Sequence, residues 1–198
     1  MRYIAEHFTT TLEVKKSKFI AHIVPYEQFD SMMESLKKDH PKARHFVYAY
    51  RYLNRYNQVV ENCSDDGEPK GTSGKPTLLV LAGKDIINTA VIVVRYFGGI
   101  KLGTGGLVKA YSDAVNLVLQ NSTLLQYVEL ISYSLQLQYN QLSQIEYILK
   151  RLDIQITNKE FLSNITLHLV GSKESFEKLQ TELSHDNILI KVEQDETV

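Results

Sequence analysis

The segment 89–97, Thr-Ala-Val-Ile-Val-Val-Arg-Tyr-Phe, constrains the fold more than any other part of this chain. It is β-branched and aromatic, and Arg95 is its only charged residue. An unbroken apolar run of this length predicts a strand buried on both faces. Such a strand needs a layer packed above it and another below. Around it lie two glycine-rich loops, and nine of the ten glycines fall between Ser64 and Tyr111, with only Gly171 outside.

The first loop reads SDDGEPKGTSGKP, residues 64–76. Its Asp66-Gly67 pair is a turn signal, since glycine accepts the positive φ that ends an extended run. Thr72 or Ser73 then reads as the cap of a short helix, with Pro76 in its first turn, Leu78, Leu79 and Leu81 on its apolar face, and Gly83 as its stop. The second loop, GGIKLGTGG at 98–106, leads from the buried strand into a helix expected over 107–119, where Leu107, Ala110, Tyr111, Ala114, Leu117 and Val118 recur at helical spacing.

Both loops therefore open onto helix N-termini, where unpaired N–H groups and the positive end of the helix dipole favour anions. With the nearby cations, the candidate phosphate-binding residues are Gly71, Thr72, Ser73, Gly74, Lys75, Arg95, Lys101, Gly103, Gly105, Gly106 and Lys109; Lys70 adds charge. The plainer alternative is that the glycines serve only to let the backbone turn tightly.

Ordinary nucleotide motifs do not fit. A P-loop requires G-x-x-x-x-G-K-[ST], but Pro69 stands where its first glycine belongs and Pro76 follows Gly74-Lys75. Val108 occupies the third glycine position of a dinucleotide fingerprint started at Gly103-Thr104-Gly105. An enzymatic alternative stays open: Asp65, Asp66 and Glu68 holding Mg²⁺ beside bound phosphates, as in phosphoryl transfer or a nuclease. Against it, adjacent aspartates tend to point apart and no general base is evident. Apart from that Mg²⁺, no cofactor is implied.

Other elements follow in order. Two strands near 8–14 and 17–23 form a hairpin across Lys15-Lys16, 26–40 is a helix ended by His40-Pro41, 45–53 is a tyrosine-rich strand, and 56–61 returns as another. Tyr48, Tyr50 and Tyr52 suit either base stacking, a protein-partner surface, or one face of an amphipathic sheet. His45, beside Arg44 and Lys42, is either a phosphate contact, a catalytic group or a plain strand residue.

With 198 residues of 43% hydrophobic content, the chain can bury one good core or two small ones. The pattern changes near 122–127, which predicts two domains, 1–125 and 126–198. Charge changes sign there as well: sixteen Lys and Arg oppose twelve Asp and Glu up to residue 128, against six and eleven afterwards. Beyond this boundary the expected order is a strand over 128–139, a helix over 141–152, strands over 153–160 and 164–170, a helix opened by Ser172, and a strand over 188–192. That β-α-β-β-α-β order is the split ferredoxin-like unit. The start of the chain lacks the apolar segment of a signal peptide, no run spans a bilayer, and Cys63 is a lone cysteine, all of which predict a cytoplasmic protein with no membrane partner.

The pairing of SDDGEPKGTSGKP with VVRYFGGIKLGTGGLVKAY closely resembles the signature of the Impact/YigZ family over about residues 9–120. Ser73 stands where the family often has Ala, and Lys109 where Arg is usual, which removes a bidentate phosphate contact at 109. The resemblance implies an α+β fold, with an N-terminal domain of the ribonuclease PH and ribosomal-protein class and a C-terminal ferredoxin-like domain similar to one in elongation factor G. It also implies a translation-associated role with RNA, the ribosome or a translation-regulating protein as partner. Eukaryotic members are linked to restraint of a stress kinase that regulates translation.

Overall fold

The computed structural model describes residues 1–183 and 189–192, with side chains described up to 183. It is a mixed α+β structure of two compact units, Met1–Tyr127 and Val128–Val198.

In the first unit the elements run β1 (Arg2–Ile4), β2 (Phe8–Val14), β3 (Ser17–Pro25), α1 (Phe29–Asp39), β4 (His45–Leu53), β5 (Val59–Ser64), α2 (Gly74–Gly83), β6 (Thr89–Tyr96), α3 (Gly103–Gln120) and β7 (Leu124–Gln126). Five of the strands form one antiparallel sheet in the order β2-β3-β6-β4-β5, so the apolar run found in the sequence is the central strand. Every residue of β6 from Thr89 to Arg95 is buried. Alternation along the strands explains this. Val91 and Val93 join Phe19, Ala21, Ile23, Val47 and Ala49 against α2 and α3. Ile92 and Val94 join Phe46 and Leu36 on the opposite face, with Phe29, Met32 and Met33 of α1 packed over them. Each such fully buried branched side chain stabilises the fold by about 1.5–3 kcal/mol.

Three local outcomes differ from the sequence reading. Asn54 Oδ1 accepts the amides of Tyr56 and Gln58 at 2.9 and 3.0 Å, which extends the turn and delays β5 to Val59. The glycines at 103, 105 and 106 lie inside the first turns of α3 instead of preceding it. Finally, β1 and β7 pair antiparallel, and the Tyr127 amide donates to the Met1 carbonyl at 3.0 Å, so residues 126 and 127 belong with the first unit.

The tyrosine stripe does not form an open platform. Tyr52 stacks on Tyr26 at 4.0 Å, and Tyr48 and Tyr50 lie 5.0 and 5.2 Å from the ring of Phe29, so all three are half-buried beside the start of α1.

The second unit runs β8 (Leu130–Leu137), α4 (Leu142–Arg151), β9 (Gln155–Phe161), β10 (Ile165–Ser172), α5 (Lys173–Leu183) and β11 (Leu189–Val192). Its sheet order is β11-β8-β10-β9, antiparallel throughout. Leu135, Leu137, Ile165, Leu167 and Leu169 of the sheet pack on Ile145, Ile148 and Leu149 of α4 and on Phe176, Leu179 and Leu183 of α5. Ser172 accepts the Ser175 amide at 3.1 Å, the capping contact its position before α5 predicts. Residue 188, the expected start of the last strand, lies outside the described residues. Among the described residues no helix is long and apolar enough to cross a membrane.

Candidate functional site

Strand β6 carries Arg95 to the end of the sheet, opposite His45 of β4. The first loop closes over that end. Asp66 takes a positive φ of 41°, its carboxylate accepts the Phe46 amide at 2.6 Å, and its carbonyl accepts the His45 Nδ1–H at 2.8 Å. The carbonyl can only accept, so Nδ1 carries the proton. His45 is thus an anchor for the loop.

Two residues further on, Glu68 turns inward. Its Oε1 accepts from Arg95 Nη1 at 2.5 Å and from the Tyr111 hydroxyl at 2.8 Å, and the two charged side chains are only 3% and 7% exposed. Burial, followed by the Glu68 charge, pushes the Tyr111 phenol far upward, so it remains a donor. The Arg95 guanidinium also lies 5.3 Å from the Phe19 ring centroid and 5.8 Å from that of Phe97. Arg95 was expected to meet a phosphate; instead a buried carboxylate neutralises it. Sequence reasoning missed this triad because its members are 27 and 43 positions apart.

Asp65 overturns the expectation for the first helix start. Its Oδ1 accepts the amides of Ser73 and Gly74 at 3.1 and 2.8 Å and the Ser73 hydroxyl at 2.7 Å; its Oδ2 accepts the Gly71 amide at 2.7 Å. Neither Thr72 nor Ser73 caps α2 with its own side chain: the Thr72 hydroxyl donates to the Pro69 carbonyl at 2.6 Å. The anion that the helix dipole calls for is Asp65 itself. Partial burial raises the Asp65 pKa, but the hydrogen bonds from Gly71, Ser73 and Gly74 outweigh it and hold the carboxyl below its ordinary value. Gly74 is required here, since a Cβ would sit 2.7 Å from the Ser64 backbone. Lys75 remains exposed on the helix surface.

Asp65, Asp66 and Glu68 thus serve three separate sets of partners within the chain and do not converge. Among the described residues no group of three or more His, Cys, Asp or Glu is placed to hold a metal ion. Burial, with the neighbouring Asp65 charge, raises the Cys63 thiol above its ordinary value.

The second loop is different. At Gly98 a Cβ would lie 2.0 Å from the Lys16 carbonyl carbon, so this glycine seats the loop directly on the turn between β2 and β3, and its amide donates to Ser17 Oγ at 3.1 Å. Helix α3 then begins at Gly103 with a φ of 74°, no side-chain cap and no acidic residue in its first turn. Lys101, Gly103 and Gly105 are exposed, and Gly106 is half-buried. Lys109, six residues into the helix, is paired with Asp113 at 2.9 Å on the surface.

These features define a two-domain α+β protein with one glycine-rich helix start closed by the carboxylate of Asp65 and a second to which no side chain among the described residues supplies a cap. The Impact N-terminal domain model matches residues 15–119, and a domain of unknown function, DUF1949, matches residues 135–185. The chain is 41% identical over 164 residues to the IMPACT family member YigZ of Escherichia coli, covering 81% of this chain and 80% of that protein. It is 33% identical over 184 residues to YvyE of Bacillus subtilis, covering 90% and 84%. A crystal structure of a hypothetical protein superimposes with a TM-score of 0.63 at 35% identity, covering 98% of each chain. The chain belongs to the Impact/YigZ family.

Proposed function

We propose that this protein is a translation-associated regulatory protein that binds RNA or ribosome phosphates, acting in the cytoplasm, through the second glycine-rich loop and the start of α3. The observation that carries this reading is the contrast between the two helix starts. Asp65 occupies the amides at Ser73 and Gly74, whereas among the described residues no side chain accepts from the amides of Gly103 to Gly106, and exposed Lys101 lies beside them. Lys75 contributes charge at the surface; Gly71, Ser73 and Gly74 shape the first loop. Such contacts position a phosphodiester backbone without reading sequence. The role in translation rests on what the family resemblance implies.

We also assign the first unit to the ribonuclease PH and ribosomal-protein class and the second to the ferredoxin-like class. The second assignment is supported by the β11-β8-β10-β9 order and the β-α-β-β-α-β succession.

Titration with inorganic phosphate followed by amide NMR tests the site. Shifts are expected at Gly103, Thr104, Gly105 and Gly106 and absent at Gly71, Ser73 and Gly74. Shifts confined to the first loop, or none at all, would overturn the assignment.

A further inference from the structure

The second loop carries two large apolar side chains in water, Phe97 at 55% exposure and Ile100 at 44%. Phe97 follows the central strand directly and Ile100 comes three residues later, where a chain gains nothing in stability by exposing them. Phe97 has a definite support: the Arg95 guanidinium lies 5.8 Å from its ring centroid and is itself fixed by Glu68. The buried triad thus holds an exposed aromatic ring in place.

Beside Phe97, Gly98 brings the loop against the β2–β3 turn. That turn consists of Lys15 and Lys16 at φ values of 46° and 64°, flanked by the pair Val14 and Ser17. Two-residue hairpin turns with both φ values positive favour Asn-Gly, because a side chain is strained there. Lysine at both positions is the reverse of what the turn alone selects. Both lysines are exposed, as is Lys101 at the far side of the loop, and among the described residues no ion pair engages any of the three. Glu13 lies opposite Lys18 on the same hairpin, so Lys18 is left out of the patch.

We propose that Phe97 is a stacking platform for a base of single-stranded RNA, with Lys15, Lys16 and Lys101 holding the flanking phosphates. This deepens the phosphate-binding reading and rests on it. The charge complementarity fits any polyanion; an exposed ring one residue from the glycine seated on the lysine turn selects an unpaired strand, because duplex bases offer no free face. Arg95 and Glu68 are positioning residues for the ring.

The test is fluorescence anisotropy with a labelled oligouridylate of twelve nucleotides and an RNA duplex of equal length, each across a salt series. Phe97→Ala should weaken oligouridylate binding at least about fivefold at every salt concentration and leave the salt slope unchanged, and Phe97→Tyr should restore binding. Lys15→Asn with Lys16→Gly supplies the pair the turn prefers, so the variant folds at least as well, yet it should flatten the salt slope. Equal affinity for duplex and single strand, with Phe97→Ala neutral, would overturn the proposal and leave phosphate binding standing. Absence of binding to any RNA and to ribosomes would remove the phosphate reading beneath it. Oligouridylate left unbound while Phe97→Ala weakens capture of a ribosomal protein would overturn it in favour of a protein partner.

Discussion

Replacing Asp65 with Asn tests whether the chain supplies its own anion at the α2 N-terminus. The wild-type carboxylate accepts three amides and one hydroxyl between 2.7 and 3.1 Å. An ordinary cap is worth about 0.5–2 kcal/mol, and a hydrogen bond to a charged group about 1.5–3 kcal/mol. The four bonds share one carboxylate and are not additive, and an asparagine oxygen retains some of them, so about 2 kcal/mol is the expected loss. With a urea slope of roughly 2 kcal/mol per molar, the unfolding midpoint of the first unit should fall by about 1 M. The folded-state pKa of Asp65 is lowered, so its contribution is complete above the unfolded value near 4 and disappears as pH falls through the folded value. The difference between wild type and Asp65→Asn should therefore shrink on acidification. Sulfate should recover part of the loss in Asp65→Ala by occupying the vacated amides, and do so more than in wild type. An Asp65→Asn midpoint within error of wild type at pH 7 would refute the reasoning.

Arg95→Ala strands Glu68 in the core and should destabilise the first unit by about 3–5 kcal/mol in a urea titration, an effect unlike the near-neutral loss expected of an exposed phosphate contact. His22 is 7% exposed, its Nε2 has no hydrogen-bond partner among the described residues, and burial, with the neighbouring His7 and His40, pushes its pKa down to about 4. The unfolded chain then binds the proton more readily, so stability is full above about pH 6.5 and falls toward pH 4 by up to about 3 kcal/mol; His22→Asn should flatten the urea midpoint across that window. Lys109→Ala should change neither stability nor RNA affinity appreciably, since its exposed pair with Asp113 is worth about 0.3–0.5 kcal/mol.

Much of this was legible in the sequence because the relevant signals are local. An apolar run marks β6, 3.6-residue spacing marks α1, α3 and α4, and alternation marks β8. What was not legible depends on chain segments meeting in space. The β1–β7 pair joins two three-residue strands more than 100 positions apart, and neither carries enough alternation to be read alone. Asp65 caps α2 from eight and nine positions upstream, far outside the three-residue reach of a capping box. Arg95 looks the same in sequence whether it faces water or Glu68. The glycines of 103–106 have poor helix propensity, yet they form the first turns of α3, whose later turns bury Leu107, Ala110 and Tyr111.

Co-sedimentation with ribosomes across a salt series, comparing wild type with Lys101→Ala and Lys75→Ala, tests the central claim most directly. Binding should weaken as salt rises, and Lys101→Ala should reduce the slope of log affinity against log salt by about 0.7–0.9, the counterion equivalent of one lost phosphate contact. Lys75→Ala, beside a helix start already filled by Asp65, should change that slope less. Salt-insensitive sedimentation shared by all three proteins would contradict phosphate binding at the second loop.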